Sequence, residues 1–155
     1  MSKLSYFMRP ELKQDVVMEV PGVETFKDEE GNTIPFKIKR LSTSEQNKIR
    51  GMYRTRKMAT DKNGKPIISN SNEVVFIEKY DGDRAVDRII VEAFVEPDLK
   101  NKELMDFYGV YDVEDMPKTI FSKTEDYNYV VRSVMKILGL WEKSDGEIIE
   151  EVKNS

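Results

Sequence analysis

The chain has 155 residues, 39% of them apolar and 35% charged, with a net charge of −4, which suits one small core under an unusually large solvated surface. It contains no cysteine and no histidine, so disulfide frameworks, thiolate metal sites, Cys nucleophiles and any Ser–His–Asp triad are excluded. Charge is unevenly shared: residues 1–80 carry 15 Lys and Arg against 11 Asp and Glu, and residues 81–155 carry 10 against 18, a polarity that can orient self-association or docking onto another protein.

Residues 1–23 mix the apolar clusters Leu4, Phe7, Met8 and Val16, Val17, Met18 with Pro10, Pro21 and Gly22. They read as an N-terminal arm that packs on something or as a loosely ordered terminus. The opening MSKLSYFMRP lacks a signal-peptide apolar core, and no apolar run approaches the ~18 residues of a membrane span. Residues 24–41 predict a β-hairpin, Glu24–Lys27 and Thr33–Arg40 around the turn Asp28–Asn32, because Phe36 and Ile38 alternate with Lys37 and Lys39. Such a hairpin is marginal alone, so helices must cover its apolar face.

Ser42-Thr43-Ser44-Glu45 reads as a capping box, opening a helix over about 43–59 with Ile49, Met52, Tyr53 and Met58 inward. Its remaining face is basic: Lys48, Arg50, Arg54, Arg56 and Lys57. Residues 60–73 carry the turn signals Asn63-Gly64 and Lys65-Pro66, and predict a second small hairpin or a mobile loop. Val86, Ile89, Ile90, Ala93 and Phe94 follow helical spacing and predict a helix over 83–96 that Pro97 stops. Asn101 caps a short helix, 101–108, that ends at Gly109. A third, irregular helix is expected over 113–121. Ser122-Lys123-Thr124-Glu125 reads as a second capping box, opening a helix over 123–139 with Tyr127, Val130, Val131, Val134, Met135, Leu138 and Trp141 on one face. Residues 142–155 are expected to be an acidic, flexible tail. The fold class is α+β: a mostly helical single domain over 24–141 with a small N-terminal β-hairpin.

The chemistry-bearing motifs are sparse. There is no Gly-Lys-Ser/Thr phosphate loop, no GxGxxG and no GxSxG. Asp81-Gly82-Asp83 with Asp87 resembles part of a calcium loop, but Ala85 and Val86 occupy the fifth and sixth positions, where a ligand and a glycine are needed; helix capping explains these acids better. Adjacent carboxylates such as Glu114 and Asp115 read as solvated surface. No catalytic residue, metal or cofactor is expected. The basic face around Arg50 and Arg54 is compatible with an acidic protein surface, with phosphates or with plain solvent. Met105, Phe107, Tyr108, Tyr111 and Met116 cluster in sequence and read as an adaptable apolar groove or as ordinary core.

The order of these elements, with IPFKIKRLSTSEQNKIRGMYRTR early and EAFVEPDLKNKELMDFYGVYDVEDM later, resembles the tail assembly chaperones of PBSX-like contractile-tailed phages and tailocins. The specific part is the Pro97-Asp98-Leu99 block, the Glu103-Leu104 pair and the Tyr108-Gly109-Val110 turn. The resemblance implies a non-enzymatic assembly factor that binds the tape measure protein, keeps it soluble and is displaced as tail tube protein polymerises. It implies work in the host bacterial cytoplasm and absence from the mature particle. On this reading the groove around Met105, Phe107, Tyr108, Tyr111 and Met116 meets the client, Arg50 and Arg54 add a secondary contact, and copies can self-associate. The competing expectations are a structural component of the tail particle and a small nucleic-acid-associated regulator.

Overall fold

The computed structural model describes residues 3–140; Trp141 and the expected acidic tail lie outside the described residues. The architecture is α+β. Two 3-10 turns, Lys3–Phe7 and Pro10–Lys13, open the chain and bury no side chain. Strands β1 (Val17–Val20), β2 (Phe36–Lys39) and β5 (Phe94–Glu96) form an antiparallel sheet in the order β1-β2-β5. A separate two-stranded ribbon pairs β3 (Arg54–Met58) with β4 (Phe76–Tyr80). The helices are α1 (Thr43–Met52), α2 (Gly82–Ala93), α3 (Lys102–Tyr108), α4 (Met116–Ile120) and α5 (Thr124–Ile137).

The alternation in β2 works as its spacing implies: Phe36 and Ile38 are buried while Lys37 and Lys39 stay at the edge of the core. Phe36 packs edge-on against Phe94 and Phe121, with ring centroids 5.4 and 5.6 Å apart, and Phe26 meets Phe121 at 6.1 Å. This cluster ties the sheet to α4. Truncating any of its buried rings to Ala would cost roughly 3–5 kcal/mol. Helix α2 runs through the centre, burying Ala85, Ile89, Ile90 and Ala93, and α5 closes the core with Val130 and Val134.

Local capping explains where α1 and α2 begin. The Ser42 hydroxyl accepts from the Glu45 amide at 3.1 Å and Glu45 accepts from the Ser42 amide at 3.3 Å, a complete capping box. Asp81 caps α2 through the Arg84 amide at 3.2 Å, so its carboxylate serves the backbone.

Four expectations need correction. The predicted hairpin forms around its turn, through the Lys27–Thr33 bridge and the Ile34 amide on Phe26 O, but the rest of its return strand, Phe36–Lys39, pairs with Val17–Val20 within the expected arm. Residues 21–25 loop out between the two registers because Val23 turns into the core and Pro35 has no amide to donate. The helix after Ser42 ends at Met52, since 54–58 gains a full antiparallel ladder with 76–80. The helix before Pro97 ends at Ala93, because Phe94–Glu96 pairs with β2. The second capping box does not form: Lys123 is the N-cap and makes no side-chain cap bond. Asp126 in that first turn instead accepts from the Thr25 hydroxyl.

The uncertain stretch 60–73 folds as two small hairpins at the ribbon tip. Thr60 bridges Pro66 and Ile68 bridges Val74. Their turns repeat the one at Asp28–Asn32. Asp28 Oδ1 accepts from the Glu30 and Asn32 amides, Asp61 Oδ1 from the Asn63 and Lys65 amides, and Ser69 Oγ from the Glu73 amide. The fourth residue of each turn has positive φ: Gly31 at 84°, Gly64 at 81° and Asn72 at 62°. A short acceptor followed three residues later by Gly or Asn is what such a turn requires. At the base of both loops the Ala59 amide donates to Val75 O, the Ile67 amide to Ala59 O and the Val75 amide to Ile67 O, at 2.8–3.0 Å. The three segments therefore close a triangle.

Candidate protein-binding surface

Helix α3 is short but tightly bounded. Asn101 caps it through the Leu104 amide at 3.1 Å, and Gly109 ends it in the left-handed region at φ 67°. The Val110 amide then returns to Met105 O at 3.0 Å, closing a Schellman-type C-terminus. This fixes the helix phase. Leu104, Met105 and Tyr108 face the body and are partly buried, while Phe107 points away, 79% exposed. Tyr111, in the turn that follows, is 95% exposed. Phe107 and Tyr108 meet edge-on at 5.0 Å.

The five residues predicted as a groove thus separate. Phe107 and Tyr111 are outer, Met105 and Tyr108 support them, and Met116 is sealed in the core at 0% exposure. Met116 opens α4, whose inner face lies against α2, so it is packing and not groove. A cleft of about 520 Å³ lies beside Tyr108 and Tyr111, bounded by Arg84, Asp112 and Lys118.

The ionisable groups behind this face are held by partners. The Tyr53 hydroxyl donates to Glu114 at 2.7 Å, and Arg84 and Arg88 lie 3.7 and 3.6 Å from that carboxylate. The Tyr53 bond first, then the two guanidiniums against burial, hold Glu114 below the usual carboxylate range. Burial pushes Glu92 up, but Lys100 at 2.8 Å and Arg88 at 2.9 Å outweigh it and the carboxyl lies low. Asp87 is 3% exposed and takes the Tyr127 hydroxyl and, at 3.0 Å, the Lys118 ammonium. Glu114 and Glu92, held ionised in this way, are the opposite of a general base tuned toward neutral pH; Asp87 ties α2 to Lys118 of α4 and Tyr127 of α5.

The expected basic helix face is divided. Arg50 stays on α1, half-buried, whereas Arg54 lies on β3 with its guanidinium 5.3 Å over the Tyr80 ring. Two further apolar regions are exposed, the first flagged in sequence as an arm and the second not read as a surface. One is the N-terminal segment, with Leu4, Tyr6, Phe7 and Met8 exposed and Phe7 at 77%. The other is the ribbon, with Ile67, Ile68, Val74, Phe76 and Ile77 exposed. The available signal was the pairing of apolar residues inside otherwise polar stretches.

Comparison with known proteins places this geometry. The model of the phage XkdN-like tail assembly chaperone family matches residues 4–153. The chain belongs to that family. The XkdN protein of the phage-like element PBSX of Bacillus subtilis is 25% identical over 151 residues, 97% of this chain and 93% of its own. The uncharacterized protein YqbN of Bacillus subtilis is 28% identical over 148 residues, 96% of this chain and 90% of its own. The crystal structure of YqbN superposes with a TM-score of 0.68, covering 90% of this chain and 98% of that one. A tail assembly chaperone of this family implies tail proteins as partners. Among the described residues, no helix is long and apolar enough to cross a membrane.

Proposed function

We propose that the chain binds the tape measure protein in the host cytoplasm, keeps it soluble, and yields it as tail tube subunits polymerise around it, without entering the finished tail. The observation that carries this reading is the pair Phe107 and Tyr111, 79% and 95% exposed on a helix end whose backbone is locked by Asn101 and Gly109. Aromatic side chains held outward on rigid backbone lose little conformational entropy when covered, which is the usual character of a binding anchor. The work is binding, with no bond made or broken.

The test is co-expression with the tape measure protein of the same tail gene cluster. The wild-type chain raises its soluble fraction. A Phe107→Ser, Tyr111→Ser double variant loses that effect, because two anchor truncations of ~2 kcal/mol each weaken binding by about a thousandfold. Both side chains lie outside the core, so the variant folds. Undiminished rescue by the folded variant would place the contact elsewhere. Mass spectrometry of purified particles then separates a chaperone, absent from them, from a retained tail component.

A further inference from the structure

The ribbon β3–β4 leaves the body with every side chain exposed. Directly opposed residues share a face, so the register puts Arg54, Arg56, Met58, Phe76, Glu78 and Tyr80 together on one side. Thr55, Lys57, Ile77 and Lys79 occupy the other. Residues 54–80 carry six Lys and Arg against three Asp and Glu, in a chain whose net charge is −4. Among the described residues Arg84, Arg88, Lys100 and Lys118 beside α2 each have a carboxylate partner, whereas Arg54, Arg56, Lys57 and Lys79, like Lys48 and Arg50 on α1, have none. Arg56 faces Glu78 across the ladder yet its guanidinium carbon sits over the Phe76 ring, 4.0 Å from the centroid. A guanidinium stacked on a ring keeps its N–H edge free for a carboxylate.

We infer that this ribbon is a docking arm for an acidic, apolar-faced segment of a client polypeptide. The inference rests on the proposed tape measure binding and assigns part of that contact to the ribbon. Its unpaired cations call for carboxylates, and the apolar side chains between them call for an apolar stripe. Nucleic acid fits less well: Phe76 and Tyr80 already carry guanidiniums over their rings, and bases would need those faces to stack. A second copy is the competing occupant: Asp87, Glu92 and Glu114 of its acidic half are already paired, but Glu103, Asp106 and Asp112 enter no ion pair among the described residues, so self-association is measured beside client affinity.

The test uses the full chain and the tape measure protein as probe, with affinity measured from about 50 to about 300 mM salt. The triple variant Arg54→Glu, Arg56→Glu, Lys57→Glu is expected to keep the wild-type thermal midpoint, to bind at least about tenfold more weakly at low salt, and to lose most of the wild-type salt dependence. Arg54→Gln, Arg56→Gln, which adds no repulsion between neighbours, falls between the two and covers the case of a misfolded triple variant. Equal affinity of wild type and variants overturns the docking arm while leaving tape measure binding intact. A wild-type chain with no affinity for the tape measure protein overturns both. Loss only of self-association in light scattering, or only of binding to a single-stranded or duplex oligonucleotide, with client affinity unchanged, reassigns the ribbon and overturns the inference.

Discussion

Replacing Tyr127 by Phe removes one hydroxyl and leaves the ring where it is. The consequence falls on Asp87, 3% exposed, whose Oδ1 accepts from that hydroxyl. Its other oxygen meets Lys118 at 3.0 Å, but the Lys118 side chain is 55% exposed and can draw away into water. Tyr127 is thus the inward partner of a buried charge, and loss of a hydrogen bond to such a group costs about 1.5–3 kcal/mol. No cavity term is added, because the ring stays. For a domain of this size 1 kcal/mol is worth roughly 2–4 °C, so the melting midpoint should fall by about 3–12 °C. Urea titration at neutral pH should give a lower midpoint with unchanged slope. Tyr111→Phe, at a 95% exposed position, is the control and should change nothing measurable. Burial first, and Asp87 second, hold the Tyr127 hydroxyl protonated above the usual phenol range. Its stabilising share is therefore complete below pH ~10 and is lost as pH rises beyond it, and the Phe variant should show a smaller alkaline limb. A loss under about 0.5 kcal/mol at neutral pH would refute the reasoning, by showing that Asp87 does not depend on that donor.

Acid should weaken the fold in a defined window. Glu114 and Glu92 are held below the ordinary value of 4.5 in the folded chain. The unfolded chain therefore takes up more protons there, so their stabilisation is complete above pH ~4.5 and falls as pH drops through the lowered values. Urea midpoints from pH 6 to pH 3 should show this limb, and Tyr53→Phe, which removes the leading cause at Glu114, should shrink it. Gly22→Ala should be costly for a different reason: a Cβ there would sit 2.0 Å from Ile34 O, a backbone atom that cannot swing aside. A loss of at least ~2 kcal/mol is expected, and an unchanged melting midpoint would show that the loop between β1 and β2 is free to shift.

The legible parts of the fold were those whose cause is local. The Ser42 box, the Asn101 cap and the Gly109 stop each depend on residues within one turn, and the inward face of α2 is written in its own spacing. The ribbon was not legible, because Arg54–Met58 has no strand signature of its own and its partner lies about twenty residues on, across two loops. The same holds for Val17–Val20, separated from its partner by an irregular excursion. The second capping box failed for a tertiary reason: the helix starts one residue later, with Asp126 bound to Thr25, 101 positions away. At the candidate site the cluster of five was visible, but its sorting was not read. Helical phase alone separates Phe107 from Leu104, Met105 and Tyr108, whereas the burial of Met116 depends on α4 lying against α2.

The backbone triangle at Ala59, Ile67 and Val75 makes the ribbon tip modular. Each of the two loops leaves and re-enters at the same closed junction, so its length is decoupled from everything below it. Ala59, 3% exposed at that junction, marks where a larger side chain would have no room. An epitope or fluorophore spliced between Lys62 and Asn63, or between Asn70 and Ser71, would ride on the end of the arm and report its encounters while the strands beneath keep their alignment.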